Sequence, residues 1–246
     1  MKTAIVAALL GCAASGVMAQ DMVGGSVSVG YMTLFEDDID NHAVSLGGSA
    51  EFAASRTVSL QVDGAYTTMS VEDIDLDATG IGAHAIYHAN ENASFGAYLA
   101  HESIEEANVF SYGVEAGYGA GPLALEGYMG VSSVEDFVFN TDEHVDFNTL
   151  GVAARYAVTP DAALGVSYDR VSFSSAASGN ALALTGRYGL GSGLRAEAEL
   201  GRVTGEVLGT DLDNSTYASM TVSYGFGKRG EAAFERRGLV QSFGGF

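Results

Sequence analysis

Histidines and carboxylates are the side chains in this sequence that could hold a metal ion or transfer protons. His84 and His88 lie four residues apart in the segment ATGIGAHAIYHANENASFGAYLA, residues 78 to 100. On a β-strand they share one face, but about 13 Å of strand separates them, which is too far for two ligands of one metal. The sequence also lacks HExxH, GxSxG and CxxC motifs. We therefore predict no catalytic residue, no metal site and no cofactor, and the strands that carry these side chains become the guide to their role.

The same segment alternates between two kinds of side chain. One parity is apolar and ends in the aromatic ring of Tyr87, whereas the other carries glycines and the two histidines. Because successive side chains of a strand point to opposite faces, the pattern predicts a hairpin with one apolar face and one small or polar face. The turn falls at Asn90-Glu91-Asn92.

This alternation recurs along the whole chain and predicts twelve strands. They lie near residues 22–34, 43–54, 58–69, 78–89, 93–103, 109–120, 122–132, 147–158, 162–173, 180–190, 194–204 and 215–226. Each run has about the nine to eleven residues that a tilted strand needs to cross a bilayer. The composition agrees, since 33 glycines, 12 tyrosines and 12 phenylalanines without any tryptophan do not resemble a secreted enzyme.

The connections between these strands alternate between two kinds. Tight turns fall at 54–56, 90–92, 121–122, 159–161 and 191–193. Longer connections fall at 35–42, 70–77, 103–108, 132–146, 174–179 and around 205–214. Short turns at one end and longer loops at the other are the layout of an outer-membrane barrel, with the turns in the periplasm and the loops outside the cell.

The aromatic residues of the apolar parity form two bands. Near the tight turns lie Phe52, Tyr87, Phe95, Tyr118, Tyr156, Tyr188, Tyr224 and Phe226, and near the long loops lie Tyr31, Tyr66, Phe110, Tyr112 and Tyr168. Aliphatic residues and glycine fill the space between the bands. Two aromatic girdles around an aliphatic belt are typical of a face in lipid. The apolar face is therefore predicted to look outward and the polar face into the barrel.

The first 19 residues have the features of a secretory signal peptide. Lys2 precedes an apolar run, and small residues surround Ala19, so we expect cleavage after that residue. An alternative is a lipoprotein signal at Leu9-Leu10-Gly11-Cys12, in which Leu10 is unusual. Cleavage after Ala19 removes the sole cysteine, so we expect no disulfide.

These features resemble the Gram-negative porins and related outer-membrane barrels, and the resemblance covers residues 20 to 226. It implies an all-β, transmembrane antiparallel up-and-down β-barrel of about 12 strands (20–227). It also implies outer-membrane lipid and lipopolysaccharide as surroundings, the barrel assembly machinery as a partner and passage of small polar solutes or ions; a homo-oligomer stays open. Two features differ from general porins. General porins are similar to sixteen-stranded barrels, whereas the alternation here gives twelve strands. General porins also fold a long third loop into the pore, whereas the third long-loop connection here, 103–108, is short. Here only the connection 132–146 is long enough to turn inward.

The polar parity predicts which charged residues line the pore. They are Glu51, Asp63, His84, His88, Glu115, Glu126, Arg155, Asp169, Arg187, Arg195, Glu197 and Glu199. Gln61 and Tyr98 share that parity. Charges on opposing walls set up a transverse field that selects polar and charged solutes. The alternative is that these ions pair across strands and simply fill a narrow barrel.

The long connections are strongly acidic and contribute much of the net charge of −20. Such a mouth attracts cations, and it excludes nucleic acid as a partner. The acidic run at residues 73–77 lacks both the following glycine and the closing glutamate of a calcium loop, so we predict no specific calcium site there.

The C-terminal segment 228–246 breaks the strand pattern. It is basic, with Lys228, Arg229, Arg236 and Arg237, and it follows the last strand, so we expect a periplasmic tail. Three arrangements stay open at this point: a plug in the barrel, a segment bound to the acidic lumen, or disorder.

The sequence thus predicts a passive, porin-like channel for small hydrophilic solutes across the outer membrane, with a preference for cations and without enzymatic activity. A structural or surface-interaction barrel with a closed lumen is the alternative. A third hypothesis is an outer-membrane lipid hydrolase, for which His101 and Ser103 are the candidate pair. No orienting acid is indicated beside them, so we interpret His101 as a residue at headgroup level.

Overall fold

The protein is a closed antiparallel β-barrel. The computed structural model describes residues 22–36, 39–71, 74–105, 107–135, 145–173, 177–212 and 214–239. The strands are β1 (Met22–Glu36), β2 (Ile39–Ala53), β3 (Val58–Val71), β4 (Ile74–His88), β5 (Ala93–Ile104), β6 (Ala107–Ala120), β7 (Leu123–Glu135), β8 (Val145–Ala157), β9 (Ala162–Phe173), β10 (Ala177–Gly191), β11 (Leu194–Val207), β12 (Thr210–Asp211) and β13 (Ser215–Phe226). The two-residue β12 pairs with the end of β11, and the other twelve strands form the wall.

Closure of the barrel follows from the pairing of its first and last long strands. Each wall strand pairs with its neighbours in chain order, and β1 pairs with β13 from Gly25↔Phe226 to Phe35↔Thr216. A closed ladder leaves no strand edge unpaired, which is the condition for placing strands in hydrocarbon. The expected twelve-stranded, all-β barrel is confirmed. In the described part of the chain, no helix is long and apolar enough to cross a membrane.

The outer surface carries the apolar parity of every strand. Aliphatic side chains in the middle of the wall are about half exposed or more, as with Ile81 (61 %), Leu184 (65 %) and Met220 (62 %). Aromatic side chains of both expected bands also face outward; exposed ones include Tyr31, Tyr87, Phe95, Phe110, Tyr112, Tyr118, Tyr156, Tyr188 and Tyr224. An exposed apolar surface of this extent is stable in lipid rather than in water.

The tight turns share a local device that the sequence encodes. In the turns before β3, β5 and β9, a side-chain oxygen accepts backbone N–H groups: Ser55 from Thr57 and Val58, Asn90 from Asn92 and Ala93, and Thr159 from Asp161 and Ala162. Such residues replace backbone partners in turns. The turn at Gly121-Pro122 needs a positive φ of 59° at Gly121, which glycine adopts without strain.

The strands run further toward the long-loop end than the alternation predicted. Pairing of β1 with β2 continues to Glu36↔Ile39, and that of β3 with β4 continues to Val71↔Ile74, through stretches expected to be loop. The sheet extends into the acidic region because its backbone ladder does not require apolar side chains. The signal segment, residues 136–144 of the connection expected to turn inward, and residues 240–246 lie outside the described residues.

Candidate functional site

The lumen has two chemically different walls. The acidic wall consists of inward carboxylates on β2 to β7, namely Glu51, Asp63, Glu102, Glu115 and Glu126; the arginine group consists of Arg155 on β8, Arg187 on β10 and Arg195 on β11. Asp169, Glu197 and Glu199 lie near the arginine group and line the same interior cavity as Arg155 and Arg187. The structure places all twelve sequence-predicted residues on the inner face, and it adds Glu102, which is 7 % exposed.

His84 joins two carboxylates of the acidic wall. Its Nε2 lies 2.6 Å from Asp63 Oδ2 and its Nδ1 lies 2.6 Å from Glu115 Oε1. The ring can donate to both carboxylates only as an imidazolium, since neutral imidazole has one N–H. His84 therefore serves as a cross-strand link between β3, β4 and β6.

His88 makes a separate contact further along the same strand. Its Nε2 lies 3.0 Å from Glu51 Oε1, and its Nδ1 lies 2.8 Å from Ser94 Oγ. The two histidines bind different carboxylates, as their separation predicted. Among the described residues, no group of three or more His, Cys, Asp or Glu side chains is arranged to hold a metal ion.

The tail lies inside the barrel over residues 228–239, against the acidic lumen, which is among the arrangements that the sequence left open. After β13 ends at Phe226, the Arg229 N–H donates to the Val23 carbonyl (2.9 Å) at the tight-turn end. Ten residues later the Leu239 N–H donates to Glu102 Oε2 (2.5 Å), near the long-loop end of β5. The described tail therefore extends through much of the barrel along the acidic wall.

Phe234 anchors the middle of the tail. Its side chain is 3 % exposed and its ring stacks on that of His84, with 6.5 Å between centroids. Its backbone pairs with the Gln61 side-chain amide in both directions: Gln61 Nε2 donates to the Phe234 carbonyl (2.8 Å), and the Phe234 N–H donates to Gln61 Oε1 (3.2 Å). These contacts satisfy a buried backbone that has no strand neighbour.

Arg237 is the principal ionic contact between the tail and the acidic wall. Its Nε donates to Glu115 Oε2 (3.0 Å) and its guanidinium also contacts Glu126 Oε1. Its Cζ atom lies 4.4 Å from the centroid of the Tyr128 ring, a cation–π contact. The side chains of Arg237 and Glu115 are 7 % and 0 % exposed. Removing one partner of such a buried pair leaves an uncompensated charge, which is strongly destabilising.

The acidic residues of the tail face the opposite wall. Glu231 contacts both Arg187 (2.9 Å) and Arg195. The Nη2 atom of Arg195 also donates to the Gly230 carbonyl (2.8 Å). Glu235 Oε1 accepts a hydrogen bond from Arg155 Nη2 (3.0 Å). The tail thus connects the acidic wall with the arginine group across the lumen.

A cavity of about 540 Å³ remains beside the tail. Tail residues 229 and 231–238 line one side of it. Its barrel lining includes hydroxyl groups and the charged side chains of Glu126, Arg155, Asp169, Arg187, Glu197 and Glu199. The remaining space is therefore polar and contains both signs of charge.

Acidic residues at the long-loop end make local hydrogen bonds. Asp77 accepts from the Tyr66 hydroxyl (2.8 Å), Asp75 accepts from Ser70 (2.6 Å), and Ser133 contacts Asp146. His101 is exposed on the outer face, where its cross-strand neighbours are Ile81 and Phe110.

Sequence reasoning missed several residues of this site. Tyr128 and Tyr217 face inward, where their hydroxyls donate to Asp169 (2.7 Å) and Glu199 (2.7 Å). Both lie on the polar parity of their strands, with Glu126 and Ser219 on the same faces, so the alternation was the signal that could have found them. Phe234, Glu231 and Glu235 lie in a segment without periodicity, so the basic character of the tail, opposite an acidic lumen, was the available signal.

Comparison with known proteins agrees with the fold and gives a class for it. No protein-family profile matches the sequence, and no curated protein matches it. Solved structures do match: the fold is that of outer-membrane barrel porins.

Three similar structures illustrate the match. The KdgM porin has a TM-score of 0.60 at 15% identity, covering 82% of this chain and 99% of that chain. An outer membrane channel from Pseudomonas putida F1 has a TM-score of 0.64 at 12% identity, covering 84% and 96%. The NanC porin has a TM-score of 0.60 at 8% identity, covering 80% and 98%. A second KdgM structure, in complex with disordered oligogalacturonate, has a TM-score of 0.58 at 16% identity.

Proposed function

We propose that this protein is a passive channel for small hydrophilic solutes in the outer membrane, and that its signal peptide directs its export toward that membrane. The observation that carries the proposal is a closed barrel with a lipid-facing outside whose interior holds a cavity of about 540 Å³ lined by ionised side chains. Membrane barrels with polar interiors of this kind conduct water and small solutes.

We further propose that the channel prefers cations. On the described wall the carboxylates outnumber the arginine group, and the outer connections are acidic. The KdgM porin was solved with oligogalacturonate, which is a polyanion, so the preference proposed here is opposite in sign to that ligand's charge. Asp169 and Glu199 are two of the wall acids that line the cavity, and they accept hydrogen bonds from the wall tyrosines Tyr128 and Tyr217.

Planar-bilayer recording tests both parts. We expect discrete conductance steps, and a reversal potential in a salt gradient that indicates cation enrichment of about threefold, the effect of a potential near one kT. Asp169→Asn with Glu199→Gln should reduce the preference, because both carboxylates line the cavity. Increasing salt should reduce it as well.

The matched control is Asp161→Asn, an exposed carboxylate in the turn before β9 that does not line the cavity. It removes a negative charge at the opposite end of the barrel from the acidic loops. Anion preference, or cation preference unchanged in the double variant, would contradict the selectivity proposal.

A second candidate function is a structural or surface-interaction barrel with a closed lumen. The observation that favours it is the tail packed in the interior over residues 228–239. Absence of conductance in every variant, including those that release the tail, would favour this candidate over a channel.

A further inference from the structure

We propose that the tail is a resident plug of the barrel, and that its release widens the lumen and increases its preference for cations. The effect on conduction rests on the channel function proposed above, whereas docking of the tail does not. The plug is the described part of the tail, residues 228–239.

The charges of the tail are sorted to match the two walls. Two of its four cations lie against carboxylates: Arg237 contacts Glu115 and Glu126, and Arg229 lies 3.6 Å from Glu51. Arg236 donates to the Ser28 hydroxyl (3.4 Å) instead. Its anions face the arginine group, through Glu231 and Glu235. A segment held in the lumen only by burial would not separate its charges in this way. The pattern is that of a ligand complementary to its site.

The wall is also shaped to receive the tail backbone. A Cβ atom at Gly24 would collide with the Glu231 carbonyl, and one at Gly225 would collide with the Gly230 carbonyl. A Cβ atom at Gly47 would meet the Arg236 guanidinium. Glycine at positions 24 and 225 allows an approach of backbone to backbone that any other residue would block.

The barrel does not need the tail for closure. Eleven residue pairs join β1 to β13, and the tail contributes no strand to the sheet. The tail can therefore leave its site without opening the wall. Its departure would uncover Asp63 and Glu115 and also free the arginine group. Residues 228–239 carry four basic and two acidic side chains, so the lumen would lose net positive charge, and release should increase both conductance and cation preference.

Thiol labelling tests docking without reference to conduction. Gly117→Cys places a thiol at the edge of the interior cavity beside the tail, where a Cβ atom lies 3.4 Å from the Phe234 ring. Ser167→Cys places one in the open cavity. With a hydrophilic maleimide we expect slow reaction at position 117 and fast reaction at position 167. Adding Arg237→Gln should accelerate reaction at 117 by about tenfold or more, and leave that at 167 unchanged.

The Phe234 ring lies beside position 117, so a rate at 117 that Phe234→Ala leaves unchanged would overturn docking of the tail. An unchanged rate at 117 in the Arg237→Gln background would overturn the role of the Arg237 ion pairs. Cys12, the sole cysteine of the sequence, is replaced by serine in all labelling variants if it is retained in the folded protein.

Bilayer recording of full-length variants tests gating. Arg237→Gln should increase conductance and move the reversal potential toward the value for a cation-selective pore. Lys228→Gln removes the same charge from an exposed position of the tail, and it should behave as the wild type. If the wild type conducts and the two variants are identical to it, the gating proposal is wrong. If no variant conducts, the channel function is wrong, and labelling alone decides whether the tail is docked.

Discussion

At the scale of single residues, several ionised groups of the lumen wall are paired with the tail. Partial removal from water opposes ionisation of Glu235, whose side chain is 50 % exposed, but Arg155, Arg237 and Arg187 outweigh that effect and hold the pKa of its carboxyl below the ordinary value of 4.5. Because this pKa is lowered in the docked state, the Glu235 carboxylate stabilises the docked tail fully when the pH is above the ordinary pKa of a glutamate. This contribution is lost as the pH falls through the lowered pKa.

This linkage predicts that the contribution of Glu235 to docking of the tail is constant from about pH 8 to pH 6 and is lost only in acid. Because the chain has no tryptophan, Phe234→Trp supplies a single fluorescent reporter of tail burial. We expect acrylamide quenching to stay low at neutral pH and to increase in acid. Adding Arg155→Gln removes the first partner of Glu235, so the transition should move to higher pH. A midpoint that Arg155→Gln leaves unchanged would exclude Glu235 as the titrating group.

At the scale of elements, each strand has an apolar outer face and an inner face. The size of the inner side chains matches what lies opposite them in the lumen. On β1 the inner face carries Gly24 where the tail enters. Near the end of β6, by contrast, a Cβ atom added at Gly119 would meet no atom within 4 Å beyond its chain neighbours. The same residue type therefore has different roles at the two positions.

We expect Gly24→Ala to displace the tail and Gly119→Ala to leave it in place. The added methyl group at position 24 would meet backbone of the tail, which cannot relax by a change of rotamer. The tryptophan reporter at position 234 should become accessible to acrylamide in the first variant alone. Both proteins should keep the heat-modifiable gel migration of a folded barrel. A protected reporter in Gly24→Ala would show that the tail adjusts without leaving.

At the scale of the whole molecule, the barrel is inverted relative to a soluble protein: its apolar side chains face out and its charges face in. Val166 and Ser167 are consecutive residues in the middle of β9. Val166 is 42 % exposed on the outer face, and Ser167 lines the interior cavity.

This inversion predicts opposite effects of one substitution at neighbouring positions. Val166→Arg should destabilise the assembled barrel by about 2–4 kcal/mol, the range for arginine near the bilayer midplane. Ser167→Arg should be tolerated, because its guanidinium reaches the polar cavity. Urea-induced unfolding in lipid vesicles measures the difference. Equal destabilisation by the two substitutions would contradict the assignment of faces on β9.

The wall of this protein can be read from its amino-acid sequence alone. Side chains of a strand alternate with a period of two residues, so apolar and polar positions along β4 or β9 specify the two faces without reference to any other strand. Turn residues such as Asn90 and Gly121 act through their own backbone neighbours, and they are readable for the same reason. The number of strands, the direction of each face and the two aromatic bands all follow from such local patterns.

The filling of the lumen, in contrast, depends on the closed three-dimensional fold. The contacts of Arg237 with Glu115 and Glu126 join residues more than a hundred positions apart, and no local period encodes such a contact. The tail has no alternation of its own, so its conformation depends on a wall that exists only after the barrel closes. The sequence supplied complementary charges, and closure of the sheet brought them within reach of one another.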